Sequence, residues 1–339
     1  MKSRTNVGVI GAGRIGRLHA ENLAYRIPEA NLVAVSDVFV EAAEKLTAEL
    51  GGLPAYQDPR RILEDQSVDA VLICSSTDTH ARLIEEAAQA GKQIFCEKPI
   101  ALDLAAIDHA LEAVEQAGVK LQIGFNRRFD ANFDRVREAV AGGEIGQPHI
   151  VRITSRDPSP PPIAYVKVSG GMFLDMTIHD FDMARFLIGS EVEEVYVAAG
   201  VMVDPAIGEA GDVDTAVITL RFANGTLGTI DNSRQAVYGY DQRVEVFGSK
   251  GSVTADNNYP NSATISDARR VSRDLPLNFF MERYLESYVA EMRAFVKSVR
   301  DDTPPLVTGL DGRVPVVMGY AAVKSYAEHR PVRLSEVDL

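Results

Sequence analysis

Short, nearly continuous apolar runs at residues 6–10, 32–36, 69–74, 93–96 and 120–125 punctuate the first third of the chain, each bounded by turn-forming or polar positions. Between them, segments such as Thr79 to Ala90 and Leu104 to Ala117 have the apolar spacing and alanine content of helices. The first kind of run reads as a strand and the second as the crossover that parallel strands require. The alternation predicts an α/β domain over residues 1–125 built on a doubly wound parallel sheet, with ligands beyond the carboxyl ends of its strands.

After Arg128 the pattern changes. A helical stretch, Ala131 to Ala141, leads to the strand-like Pro148 to Thr154, and the proline-rich segment Asp157 to Pro162 cannot continue a ladder because proline removes backbone donors. Asp175 to Ile188 reads as one helix, followed by strand candidates at 192–203, 215–222, 226–231 and 244–247. Asn224-Gly225 signals a tight type I′ hairpin turn, and Ser249-Lys250-Gly251 a further turn. Helices are expected near 279–300 and 311–328. Residues 126–339 therefore form an α+β domain on a large, mainly antiparallel sheet.

Composition narrows the function classes. The 339 residues are 46% hydrophobic, enough for a sizeable core in each of two domains. A net charge of −13 without a concentrated basic patch argues against nucleic acid. The chain starts Met1-Lys2-Ser3-Arg4-Thr5 without the apolar stretch of a secretory signal, and no segment approaches the ~20 apolar residues of a membrane span. Cys74 and Cys96 each end an apolar run, which favours buried reduced thiols over a disulfide or metal site. A cytoplasmic protein is expected.

The first strand runs into Gly11-Ala12-Gly13-Arg14-Ile15-Gly16. Gly11 permits the tight turn, Gly13 lets backbone approach a pyrophosphate, and Gly16 permits close packing of helix on strand. The new helix offers N–H groups and its positive dipole end to phosphate. Such a motif alone is weak evidence, but strand, helix and Asp37 at the end of the next strand supply its context. Asp37 can accept from both adenine-ribose hydroxyls and opposes a 2′-phosphate, which favours NAD over NADP. Arg14 either neutralises pyrophosphate or is simply solvated. The hydroxyls of Ser75, Ser76 and Thr77 either touch ribose or phosphate or, with Thr79, cap the following helix. His80 is given no catalytic role.

Two further constellations carry chemistry. Glu97-Lys98-Pro99 ends a strand, where a lysine beside a nicotinamide can stabilise developing alkoxide charge; the bland alternative is an exposed Lys-Glu pair. Downstream, Asp175, His179 and Asp182 at i, i+4 and i+7 share one helix face. Alcohol oxidation needs a base for the hydroxyl proton, and histidine suits that near neutral pH. A structural helix with a hydrogen-bonded core histidine is the competing explanation. Metal binding ranks last without a Cys/His cluster, and no metal site is expected.

The glycine motif, Glu97-Lys98-Pro99 and the Asp175-x-x-x-His179 segment, in that order, resemble the glucose-fructose oxidoreductase/inositol dehydrogenase/rhizopine catabolism family over essentially the whole chain. Ser155 to Pro162, Ser169-Gly170-Gly171 and Asp175 to Asp182 look in particular like bacterial inositol 2-dehydrogenases. The resemblance implies a Rossmann domain, NAD, and oxidation of a cyclic polyol, with myo-inositol as first choice. His179 would accept the hydroxyl proton, Lys98 polarise the same oxygen, and Asp175 position substrate and histidine. The implied cofactor set is Gly11, Ala12, Gly13, Arg14, Ile15, Gly16, Asp37, Ser75, Ser76, Thr77, Glu97, Lys98 and Arg127. The implied substrate set is Lys98, Arg127, Arg156, Asp157, Asp175, His179 and Tyr238, with surface-loop roles equally open for Arg156 and Asp157. A homotetramer through the open face of the large sheet is implied as well. Three alternatives stand beside this reading: a dehydrogenase for scyllo-inositol or another sugar, a glycosidase that retains NAD, and a noncatalytic NAD-binding sensor.

Overall fold

The structure is a computed structural model that describes residues 4–337. Two compact units divide the chain: one holds the residues up to Asn126 together with Glu286–Val314, the other Arg127–Leu285 and the chain from Pro315 onward. The division at 125/126 read from the sequence thus misses a return. The helix Leu285–Asp301 puts Met292, Phe295 and Val296 into the same apolar cluster as Val7, Val9, Leu72 and Phe95. An amphipathic helix declares that it has a buried face, not which core receives it.

In the first unit, six strands lie in the order Ala55–Tyr56, Ala30–Ser36, Thr5–Ile10, Ala70–Ile73, Gln93–Glu97, Leu121–Gly124, all parallel. The inner strands are buried on both faces, which explains their unbroken apolar runs. Strand order reverses between Thr5–Ile10 and Ala70–Ile73, so the backbone just past these two strands occupies the switch point of the sheet.

The second unit carries a seven-stranded sheet in the order Gly251–Ala255, Asp241–Gly248, Pro148–Arg156, Leu227–Ser233, Thr215–Phe222, Val192–Gly200, Val332–Arg333. Every pairing is antiparallel except Pro148–Arg156 with Leu227–Ser233. Strand burial alternates, as in Thr215–Phe222, because one face packs against helices and the other lies open. Two local expectations are corrected. Of Asn224 and Gly225 only the glycine has positive φ, at 86°, and Gly225 N–H donates to Phe222 O at 2.9 Å. The hairpin is therefore a type I turn closed by a left-handed glycine, not type I′. The helix expected over 175–188 is two, Gly171–Asp175 and Ile178–Ile188.

Candidate functional site

The glycine loop is built to the tolerances of its residues. Gly11 has φ 104°, and a Cβ there would stand 2.6 Å from the carbonyl carbon and oxygen of Cys74. One at Gly16 would lie 1.8 Å from Gly11 O, so helix and strand pack at backbone distance. At Gly13, by contrast, nothing lies within 4 Å of the missing Cβ. Open space there, at the start of Arg14–Tyr25, is what an approaching pyrophosphate needs. That helix has no side-chain cap and no acidic residue in its first turn, leaving its dipole end to an anion.

Asp37 is oriented rather than merely placed. Its Oδ2 accepts from Ala12 N–H at 2.7 Å and its Oδ1 from Phe39 N–H at 2.9 Å. Each oxygen keeps a further lone pair for a ribose diol. At the neighbouring strand end, Ser75 and Thr79 hydroxyls share a 2.6 Å hydrogen bond, and Thr79 donates to Ser76 O at 2.7 Å. Ser76 is the N-cap residue of Thr77–Gln89 but makes no side-chain cap, so it and Thr77 remain candidates for ligand contact. His80 is interior: its ring nitrogens lie 2.8 Å from Pro99 O and 3.0 Å from Ser75 O, holding two loops together. The residues of this unit fit a dinucleotide.

Lys98 follows the strand Gln93–Glu97, half-buried, and the Lys98–Pro99 peptide is cis. Glu97 departs from expectation. Its Oε1 lies 2.8 Å from His19 Nε2, and its Oε2 is within 2.9 Å of where a Cβ on Gly124 would be. The carboxylate turns toward His19 and Gly124. With Glu291, whose carboxyl is fully buried and pushed well up first by burial and then by the Glu97 charge, it forms the one His/Glu cluster among the described residues whose ligand atoms lie within 4.8 Å. Cys74 and Cys96 are free and buried, and burial pushes both thiols well up.

The proposed base lies in the second unit. Between Asp175 and Ile178 the helix loses its register: Thr177 N–H reaches back five residues to Met172 O at 2.9 Å, and Asp180 N–H only three, to Thr177 O at 2.8 Å. Thr177 Oγ1 donates to Asn232 Oδ1 at 2.6 Å, pinning this joint to the sheet. Asp175 thus ends one helix and His179 opens the next. Such a widened turn is frequent at functional sites. Asp182, the third member of the expected helix face, belongs instead to the interior, where Arg128 Nε donates to both its oxygens at 3.0 and 2.9 Å.

Asp175 is clamped from both sides. Tyr165 donates its hydroxyl to Oδ1 at 2.8 Å, and Arg234 Nη2 donates to Oδ2 at 3.1 Å. Burial first, then the Asp175 charge, push the Tyr165 phenol up, so it stays a donor. Asp157 lies on the same guanidinium, 3.4 Å from Arg234 Nη1. Neither Tyr165 nor Arg234 was singled out from sequence; an arginine two residues before an aromatic-rich turn carries no periodic signal.

Arg127 and Arg156 are placed otherwise than expected. Arg127 is 5% exposed and ion-paired with buried Asp180 at 2.6 Å, with the Tyr240 hydroxyl at 3.4 Å. Its guanidinium satisfies a buried carboxylate. On the strand Pro148–Arg156, Ser155 faces the buried network with Asn232 and Gln242, so the next residue, Arg156, faces the opposite side. There it binds Asp231 and the Tyr238 hydroxyl, the latter at 3.0 Å, while Tyr238 donates to Asp241 at 2.6 Å. Both side chains are spent on that open-face network.

A strand-glycine loop-helix at a switch point, with an aspartate at the next strand end, defines a dinucleotide-binding domain of the kind that oxidoreductases use. The chain belongs to the GFO/IDH/MocA family: residues 5–125 match its oxidoreductase domain with NAD-binding Rossmann fold and residues 133–254 its C-terminal domain. Among similar proteins, myo-inositol 2-dehydrogenase of Thermotoga maritima is 54% identical over 98% of this chain and 99% of its own. Inositol 2-dehydrogenase of Rhizobium meliloti is 47% identical over 97% and 98%. The crystal structure of scyllo-inositol dehydrogenase from Lactobacillus casei with bound NAD(H) and scyllo-inositol superposes with a TM-score of 0.91 at 30% identity, covering 98% of this chain and 99% of the other.

Proposed function

We propose that this chain oxidises myo-inositol to 2-keto-myo-inositol with NAD as acceptor. The observation that carries the reading is the 54% identity, over nearly the full length of both chains, to the Thermotoga maritima myo-inositol 2-dehydrogenase. Gly11 to Gly16 and Asp37 hold the adenosine diphosphate portion of NAD, with Ser75, Ser76 and Thr77 beside it. NAD, when bound, supplies the hydride-accepting carbon. His179 takes the proton of the reacting hydroxyl, and the Lys98 ammonium donates to the same oxygen as negative charge develops. Asp175, facing Arg234, accepts from a hydroxyl of the ring and fixes its orientation. A homotetramer formed through the open sheet face, where Tyr196, Val217, Leu227 and Phe247 are exposed, and a cytoplasmic setting complete the reading. Among the described residues no helix is long and apolar enough to cross a membrane.

The test is initial NADH formation with NAD⁺ or NADP⁺ and myo-inositol, scyllo-inositol, chiro-inositol or glucose. Saturable NADH production with myo-inositol and NAD⁺ supports the reading. A preference for scyllo-inositol would select the second reading, which the similarity to the Lactobacillus casei enzyme favours. Sugar release from a glycoside without net NADH would point to the glycosidase instead.

A further inference from the structure

Arg234 is a buried cation that the mechanism above uses only through its neighbour. Its side chain is 4% exposed and divides its terminal nitrogens between two carboxylates, Asp175 at 3.1 Å and Asp157 at 3.4 Å. Backbone bonds fix two of the three, Arg234 and Asp157. Arg234 N–H donates to Asp214 O at 2.8 Å, Asp157 N–H to Ser233 O at 2.9 Å, and Ala236 N–H to Asp157 O at 2.6 Å. Other groups that act on this set include the Tyr165 hydroxyl on Asp175, the Tyr240 phenol near Asp157, and the charges of Asp212 and Arg127.

Two carboxylates drawn out of water beside one another resist ionising together. Burial pushes Asp157 up and the Asp175 charge adds to it, while Arg234 opposes both. For Arg234, burial acts downward, but the carboxylates of Asp175 and Asp157 outweigh it and hold the guanidinium protonated. We propose that Arg234 is a positioning residue of the substrate site: one guanidinium, shared by Asp157 and Asp175, locks the Asp175 carboxylate as a fixed acceptor for a neutral polyhydroxy substrate. The inference rests on the assignment of Asp175 to substrate and deepens it. Without the guanidinium the two carboxyls titrate as a pair that retains one proton to higher pH. Asp175 then loses acceptor character and the Arg234 side of its clamp.

The experiment is a carboxyl titration by NMR on protein labelled at the aspartate side-chain carbon, with the Asp175 signal assigned through D175N, in wild type, D157N, R234M and R234M/D157N. Loss of the guanidinium in R234M should raise the Asp175 titration by about one pH unit or more, and D157N in that background should bring it back down. D157N alone should lower it. In parallel, R234M should lose about tenfold or more in kcat/KM for the polyol near neutral pH, with part recovered in the double variant. An unchanged Asp175 titration in R234M, or no reversal by D157N, overturns the proposal. If R234M fails to fold, D157N decides alone: absence of a downward shift overturns it. Should wild type oxidise no polyol, the functional reading fails while the titration still decides the role of Arg234.

Discussion

Lys98 and His179 each sit on backbone whose geometry is set by neighbours rather than by the residue itself, which makes their removal informative. Lys98→Ala should lower kcat by about 10²–10³-fold, the scale of losing one donor to a developing oxyanion, with NAD affinity by fluorescence titration nearly unchanged. His179→Ala should cost about 10²–10⁴-fold, with circular dichroism confirming the fold. Near-normal turnover in either variant removes that residue from the mechanism. Asp37 accepts from Ala12 and Phe39 N–H, and the proposed function gives it the ribose diol as well. Asp37→Ser should therefore weaken NAD and raise the NADP-to-NAD ratio of kcat/KM; an unaltered ratio would refute the charge argument. Arg127 shows the limit of reading single residues: in sequence it is a basic residue past a strand, and only its 2.6 Å bond to a fully buried aspartate shows it to be framework.

Among the elements, those whose partners are local were legible. Five of the six parallel strands and the helix Leu104–Ala117 follow directly from apolar spacing, while Ala55–Tyr56 is too short to show one. The glycine loop was legible for the same reason, and its steric demand can be tested. Gly16→Ala would place a Cβ 1.8 Å from Gly11 O, so the loop must shift. NAD affinity should fall and the melting temperature with it, by the ~1–3 kcal/mol of an overpacked site. Retention of wild-type NAD binding would show that the loop can give. The joint between Gly171–Asp175 and Ile178–Ile188 was not legible, since Asp175 to Ile188 reads as helical throughout and the break is imposed by Thr177 bonding to Asn232, fifty-five residues away.

Over the whole molecule, buried charge placed by distant segments sets the response to pH. Glu291 arrives in the first unit from the far end of the chain, and burial followed by the Glu97 charge raises its carboxyl well above the ordinary value. The folded state therefore keeps a proton that the unfolded chain releases above the ordinary glutamate range. Stability falls as pH rises from there toward the folded value, because the native state binds more protons than the unfolded one. Glu291→Gln preserves shape without a titrating group, so its melting temperature should vary less between about pH 5 and 8 than that of wild type. An equal or steeper slope in the variant would show that Glu291 does not hold that proton.

Apolar periodicity and glycine spacing determined the α/β alternation, the dinucleotide loop and the place of Asp37 after the second strand, because each depends on neighbours a few positions away. Tertiary structure alone decided which core receives Glu286–Val314, which way Glu97, Arg127 and Arg156 turn, and that Tyr165 and Arg234 clamp Asp175. Those outcomes depend on which charge meets which partner after long loops close. Sequence spacing does not encode that meeting; the desolvation of each buried charge enforces it, by making every alternative without a partner costly.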